Sequence, residues 1–134
     1  MDVQKSEVRP IRSGDDVVLV RQAARVWAVE LGFGLVEQTK LVTAVSELAR
    51  NTLEYGGGGE ARLEVVAAGG RQGVRIVFED RGPGIADLEQ ALTDGYTSGK
   101  GLGMGLGGAK RLVSDFEITS TPGQGTRVSI TKWK

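Results

Sequence analysis

Glycine constrains the folding of this chain more than any other residue, taking 21 of 134 positions in uneven clusters. That is about twice the average fraction of roughly 7%. The clusters fall at Gly56–Gly59, Gly69–Gly73, Gly82 with Gly84, Gly95–Gly108 and Gly123 with Gly125. Clustered glycine marks places where backbone turns sharply or approaches something closely. A framework of regular elements is therefore expected, separated by built turns, with one glycine-rich segment long enough to act as a lid.

The segments between the clusters show their period. Glu7 to Arg12 reads as a short strand at a sheet edge because of Pro10. After a cap at Gly14-Asp15-Asp16, Val17, Val20, Ala24, Trp27 and Leu31 recur at helical spacing until Gly32-Phe33-Gly34. A second helix is predicted from Leu35 to Tyr55, with Leu41, Val45, Leu48 and Thr52 on its apolar side. Ala61–Ala67 and Val74–Glu79 read as strands joined by a glycine-rich hairpin. Asp80 to Met104 is mostly irregular, with a helical stretch near Asp87–Leu92. A helix over Gly105–Ser114 follows, then strands Phe116–Ser120 and Thr126–Trp133 around a Thr121–Gly125 turn. Consecutive helices and hairpin-linked strands predict an α+β fold, a mixed, mostly antiparallel sheet covered on one face by helices.

Composition removes several functions. The chain has no cysteine and no histidine, which excludes disulfides, thiol nucleophiles, conventional zinc sites and Ser-His-Asp chemistry. Net charge is zero, so there is no global basic footprint for nucleic acid. Only Arg127 to Lys134 is locally basic, and it reads as a solvated strand end. No apolar run approaches bilayer length, and the first residues lack a secretory pattern. One cytoplasmic domain over residues 1–134, away from any membrane, is the expectation.

Three segments carry chemistry. Asp80-Arg81-Gly82-Pro83-Gly84-Ile85 follows a strand on which Ile76 and Phe78 face one way, and Asp80 continues that face. A carboxylate there is costly unless paired, and it can accept a hydrogen bond from an amino group such as that of adenine. The plainer reading is a strand end with an Asp-capped turn. In Gly99-Lys100-Gly101-Leu102-Gly103-Met104-Gly105-Leu106-Gly107-Gly108, glycines let successive amides converge on an anion ahead of a helix N-terminus. A flexible linker would not carry Leu102, Met104 and Leu106, which want burial. Gly103-x-Gly105-x-x-Gly108 lacks the preceding strand and following acid of a dinucleotide fingerprint. A Walker loop fails too, because Asp94 and Gly101 stand where a glycine and a hydroxyl are needed. The third segment is Ser46-Glu47-Leu48-Ala49-Arg50-Asn51. Glu47 and Asn51, four apart, share a helix face and can serve one magnesium-phosphate centre, with a solvated polar face as the plainer reading.

Taken together, these segments resemble the GHKL or Bergerat-fold ATP-binding family over nearly the whole chain. Glu47 to Asn51 looks like its N box, Asp80 to Gly84 and Gly101 to Gly105 like its two glycine boxes, and Gly125-Thr126 like its short final motif. Within the family the chain is most similar to bacterial anti-sigma-factor-type serine/threonine kinases, in particular stressosome switch kinases. The resemblance implies ATP and Mg2+ as cofactors. Asp80 would bond the adenine amino group, with Gly82, Gly84, Ile85 and Thr126 around the base. Asn51 would coordinate magnesium and Glu47 would be the general base. Lys100 and the run Gly101, Leu102, Gly103, Met104, Gly105, Leu106 would cover the phosphates, Lys110 and Arg111 being further candidates for offsetting their charge. Tyr55 stands where many relatives have a histidine, and a lysine supplied by a further domain in gyrase-like members has no counterpart here.

The implied partners are STAS-domain scaffold or antagonist proteins of the RsbS and RsbR kind, which would be phosphorylated. A PP2C-type phosphatase of the RsbU kind would be bound and activated on release. An anti-sigma factor binding a sigma factor directly, and an ATP-gated binding switch with little turnover, are the alternatives. Monomer and homodimer both stay open.

Overall fold

A computed structural model describes residues 1–85 and 102–134. In chain order the elements are β1 (Asp2–Ile11), α1 (Gly14–Leu31), α2 (Leu35–Glu54), β2 (Gly59–Ala68), β3 (Arg71–Asp80), α3 (Leu102–Leu112), β4 (Asp115–Thr121) and β5 (Gly125–Trp133). The predicted helical stretch at Asp87–Leu92, and Lys100 and Gly101, lie outside the described residues.

Local chemistry explains the first helices. Ser13 is the N-cap of α1: the Asp16 N–H donates to Ser13 Oγ at 3.2 Å, and Asp16 Oδ2 accepts from the Arg12 N–H at 2.8 Å. The cap is thus one residue earlier than Gly14, because a hydroxyl satisfies an orphan helical amide and glycine has none. Gly32 ends α1 in the left-handed region, and Gly34 caps α2. The two helices pack antiparallel on the sheet. Val20, Ala24 and Trp27 of α1 and Leu41, Val45 and Leu48 of α2 bury their side chains against Ile11, Leu63, Ile76, Phe78 and Ile130. Leu106 and Ala109 of α3 complete this core.

The sheet order is β1-β2-β3-β5-β4, and all four pairings are antiparallel. The expected parallel component is therefore absent from the described sheet. β3 and β4 run in the same direction, but β5 returns by a hairpin and separates them. β1 lies at an edge, as Pro10 predicted, and extends back to Asp2, well beyond Glu7. Helix α3 begins at Leu102, three residues before Gly105, so the end of the glycine-rich segment is already helical.

The basic C-terminal stretch is not simply solvated. Positions 128, 130 and 132 of β5 face the helices, so Lys132 is only 9% exposed. Its Nζ meets Glu37 Oε2 of α2 at 2.6 Å. Arg127 points to the open face and pairs with Glu79 at 3.3 Å. No helix among the described residues is long and apolar enough to cross a membrane.

Candidate functional site

The crossover that inserts β5 beside β3 decides the site. It places Asp80, the last residue of β3, opposite Thr126 near the start of β5. Helix α2 passes over this sheet end, and together they enclose a cleft. Its walls include Leu48 and Asn51 from α2, Tyr55 at the C-cap of α2, Gly84 and Ile85 after β3, and Leu106 from α3. Phe78, Asp80, Thr126 and Val128 form its floor.

Asp80 is half-buried and held by its own backbone surroundings. Asp80 Oδ1 accepts the N–H of Gly82 at 2.9 Å and that of Thr126 at 3.3 Å. Both donors use the same oxygen, which leaves Oδ2 for a ligand. Burial pushes the Asp80 carboxyl above its ordinary range, and the two backbone donors pull it partly back. A carboxylate so placed wants an N–H donor from whatever fills the cleft.

Glycine clusters far apart in sequence converge on Asp80. A Cβ at Gly56 would overlap Asp80 Cβ and Cγ and stand 2.6 Å from Oδ2. Gly125 has φ +116, and a Cβ there would run into the Asp80 carbonyl and stand 2.9 Å from Arg81 Cα. Glycine at both positions lets three stretches of backbone close around one residue, Gly56 against its side chain and Gly125 against its main chain.

On the opposite wall, Asn51 Nδ2 is buried without a hydrogen-bond partner among the described residues. An unpaired buried amide costs about 1–3 kcal/mol, so its presence at a cleft is a reason to look for a ligand. Amide O and N are interchangeable by a flip, so this side chain can present an oxygen to a cation. No group of three or more acidic or other ligating side chains stands ready for a metal among the described residues. Magnesium is usually held by one or two protein oxygens plus phosphates, and the Asn51 amide can offer one such oxygen.

Of the residues expected in the site, Asn51, Asp80, Gly84, Ile85, Leu106 and Thr126 line one cleft. Gly82 contributes through its amide to Asp80. Glu47 is one turn before Asn51 on α2 but does not line the cleft, its carboxylate instead meeting Arg50 Nη1 at 3.0 Å. Leu102, Gly103, Met104 and Gly105 form the first turn of α3, where amides lack helical acceptors. Lys110 and Arg111 occupy its last turn, roughly 10–12 Å along the axis by the 1.5 Å rise, so they are not at the amide-presenting end. The sequence reading missed Tyr55, Gly56, Phe78 and Val128 as lining residues, and Ser120 behind Thr126. The apolar ones read as core, and Ser120 read as a strand residue; only its register opposite Thr126 shows otherwise.

The family model described as histidine kinase-, DNA gyrase B-, and HSP90-like ATPase matches residues 36–134. The chain belongs to this family. Its matched region contains every element that lines the cleft, and membership of an ATPase family makes ATP the expected occupant. Among relatives, the chain is 47% identical over 118 residues to serine/threonine-protein kinase RsbT of Bacillus subtilis, covering 88% of this chain and 89% of that one. It is 31% identical over 138 residues to an anti-sigma F factor of Pasteuria penetrans, covering 98% and 92%. Among solved structures, a crystal structure of RsbU and RsbW domains from Mycobacterium tuberculosis superposes with TM-score 0.65 at 23% identity. The match covers 98% of this chain and 33% of that one. The SiaB–SiaC complex of Pseudomonas aeruginosa matches with TM-score 0.56 at 14% identity, covering 98% and 91%. These two likenesses concern the fold.

Proposed function

We propose that this ATPase-family chain is an Mg-ATP-dependent protein serine/threonine kinase acting as a partner switch in a bacterial stress or sigma-factor pathway. It phosphorylates STAS-domain scaffold or antagonist proteins and, once released from them, binds and activates a PP2C-type phosphatase. One observation carries the reading. Asp80, whose Oδ2 neither backbone donor uses, and Asn51, with an unpartnered buried amide among the described residues, line a single cleft in a chain 47% identical to a serine/threonine kinase across most of both lengths.

The roles rest on the family resemblance, supported by the cleft that Asn51, Asp80, Gly84, Ile85 and Thr126 share. Asp80 accepts from the adenine amino group, while Gly84, Ile85 and Thr126 bound the base. Asn51 holds magnesium, which supplies charge neutralisation at the phosphates when bound. The first-turn amides of α3, at Gly103 and Gly105, face the phosphates with Gly101 and Lys100 before them. Glu47 accepts the proton of the attacking serine or threonine hydroxyl. Its pairing with Arg50 is exposed, with 47% and 38% of the two side chains accessible, so the carboxylate can be redirected when a partner docks. The acceptor hydroxyl comes from a partner protein.

The test is transfer of label from the γ-phosphate of ATP to a STAS-domain protein. Glu47→Gln should abolish transfer and leave nucleotide binding in place. ATP binding without transfer by the wild-type chain would overturn the kinase reading. The anti-sigma relatives favour a second reading, direct capture of a sigma factor, which co-purification of the wild-type chain with a sigma factor would support.

A further inference from the structure

Ser120, in β4, makes three contacts behind the cleft. Its Oγ accepts the Ile85 N–H at 2.7 Å, lies 3.2 Å from the Gly125 carbonyl oxygen and 3.1 Å from Thr126 Oγ1. A serine hydroxyl has one proton to give and two lone pairs to accept with. The Ile85 amide fills one lone pair. A carbonyl can only accept, so the Gly125 contact is a hydrogen bond only when Ser120 donates its proton there. The remaining contact is then satisfied only if Thr126 donates its own proton to Ser120.

The Thr126 hydroxyl so arranged acts inside the cleft. Thr126 Oγ1, its proton committed backwards, presents lone pairs to the ligand. Asp80 Oδ2 beside it is also an acceptor, because both backbone donors sit on Oδ1. The same serine holds Ile85, a cleft wall residue, through its amide.

We infer that Ser120 is a specificity-determining positioning residue: by taking the Thr126 proton, it makes the Asp80–Thr126 end of the pocket acceptor-only. Such an end receives a purine bearing an amino group at position 6. It leaves a keto oxygen at that position facing unpaired lone pairs, a costly arrangement in a half-buried site. Ser120 touches no nucleotide itself. Without its hydroxyl, Thr126 is free to turn its proton into the cleft, where it can donate to a keto oxygen.

The inference rests on the ATP-site reading, and the experiment separates the two. Equilibrium affinities for ATP and inosine triphosphate, which differ by amino against keto at position 6, are measured on the full chain. Wild type, Ser120→Ala and Ser120→Thr are compared. Wild type is expected to prefer ATP. In Ser120→Ala the preference should fall about fivefold to tenfold, the worth of one neutral hydrogen bond, through gained inosine triphosphate affinity as well as lost ATP affinity. Ser120→Thr, which keeps the hydroxyl, should restore it. A purely structural role would weaken both nucleotides equally. An unchanged preference in Ser120→Ala, with wild type still favouring ATP, overturns the inference and spares the site. If the wild type binds neither nucleotide, both readings fall. Should the alanine variant not fold, Ser120→Cys carries the same test, since a thiol of similar size accepts hydrogen bonds only weakly.

Discussion

Replacing Asp80 by asparagine should separate binding from stability, because its two oxygens have different duties. Oδ1 accepts the Gly82 and Thr126 amides at 2.9 and 3.3 Å, and an asparagine Oδ1 can keep both bonds. The other position becomes an NH2 group where the carboxylate oxygen had faced the cleft. An amino group on the ligand then meets a donor instead of an acceptor. Losing a hydrogen bond to a charged group costs about 1.5–3 kcal/mol, so ATP affinity should fall about 10- to 150-fold. Stability should move the other way or not at all. Burial raises the Asp80 pKa, so the folded state holds its proton more tightly than the unfolded chain. Wild-type stability therefore falls as pH rises from the ordinary aspartate range through the raised folded value. A neutral asparagine removes that pH dependence, and near neutral pH its melting temperature should equal or exceed that of wild type. Calorimetric titration with ATP and thermal melts at several pH values give both readouts. Near-wild-type ATP affinity would refute the assignment of Oδ2 to the base. A melting temperature lowered by more than about 4 °C, roughly 1 kcal/mol for a domain of this size, would refute the claim that Oδ1 carries the structural bonds.

Three further outcomes are expected. Gly56→Ala forces a methyl into Asp80 and should destabilise the fold by about 1–3 kcal/mol, the usual cost of overpacking, while weakening ATP binding in the same variant; thermal melts and titration check it. Chelating magnesium should weaken ATP binding in wild type but much less in Asn51→Ala, and equal sensitivity in both would remove Asn51 from the metal. The Lys132 hydrogen bond holds the Glu37 carboxyl below its ordinary range, so its contribution to stability is present above about pH 4.5 and lost as pH falls through the lowered value. Lys132→Met should flatten that part of the pH–stability curve measured by denaturant titration, with added salt mimicking part of the change in wild type.

The sequence alone determined the elements, and it flagged the chemistry. Helical spacing of Val20, Ala24, Trp27, Leu41, Val45 and Leu48 is a local property, and those residues form the core under α1 and α2. Asp80 stood out because a carboxylate continuing the face of Ile76 and Phe78 needs a reason to be there. Local pattern could not show which glycines close on which side chain. Gly56 and Gly125 read as a helix stop and a hairpin turn; the β2–β3 pairing brings the first against Asp80 and the passage of β5 between β3 and β4 brings the second. The same crossover buries Lys132 from a stretch that reads as solvated, because its register puts even-numbered positions toward the helices. The local β4–β5 hairpin sets Ser120 opposite Thr126, and the crossover then carries that pair to Asp80. Register between strands remote in sequence is decided by the packing of the whole sheet, and no window of neighbouring residues contains it. Periodicity thus gave the parts and their chemical types. Long-range pairing decided that Asp80, Asn51 and Thr126 share one cleft, with Ser120 behind Thr126.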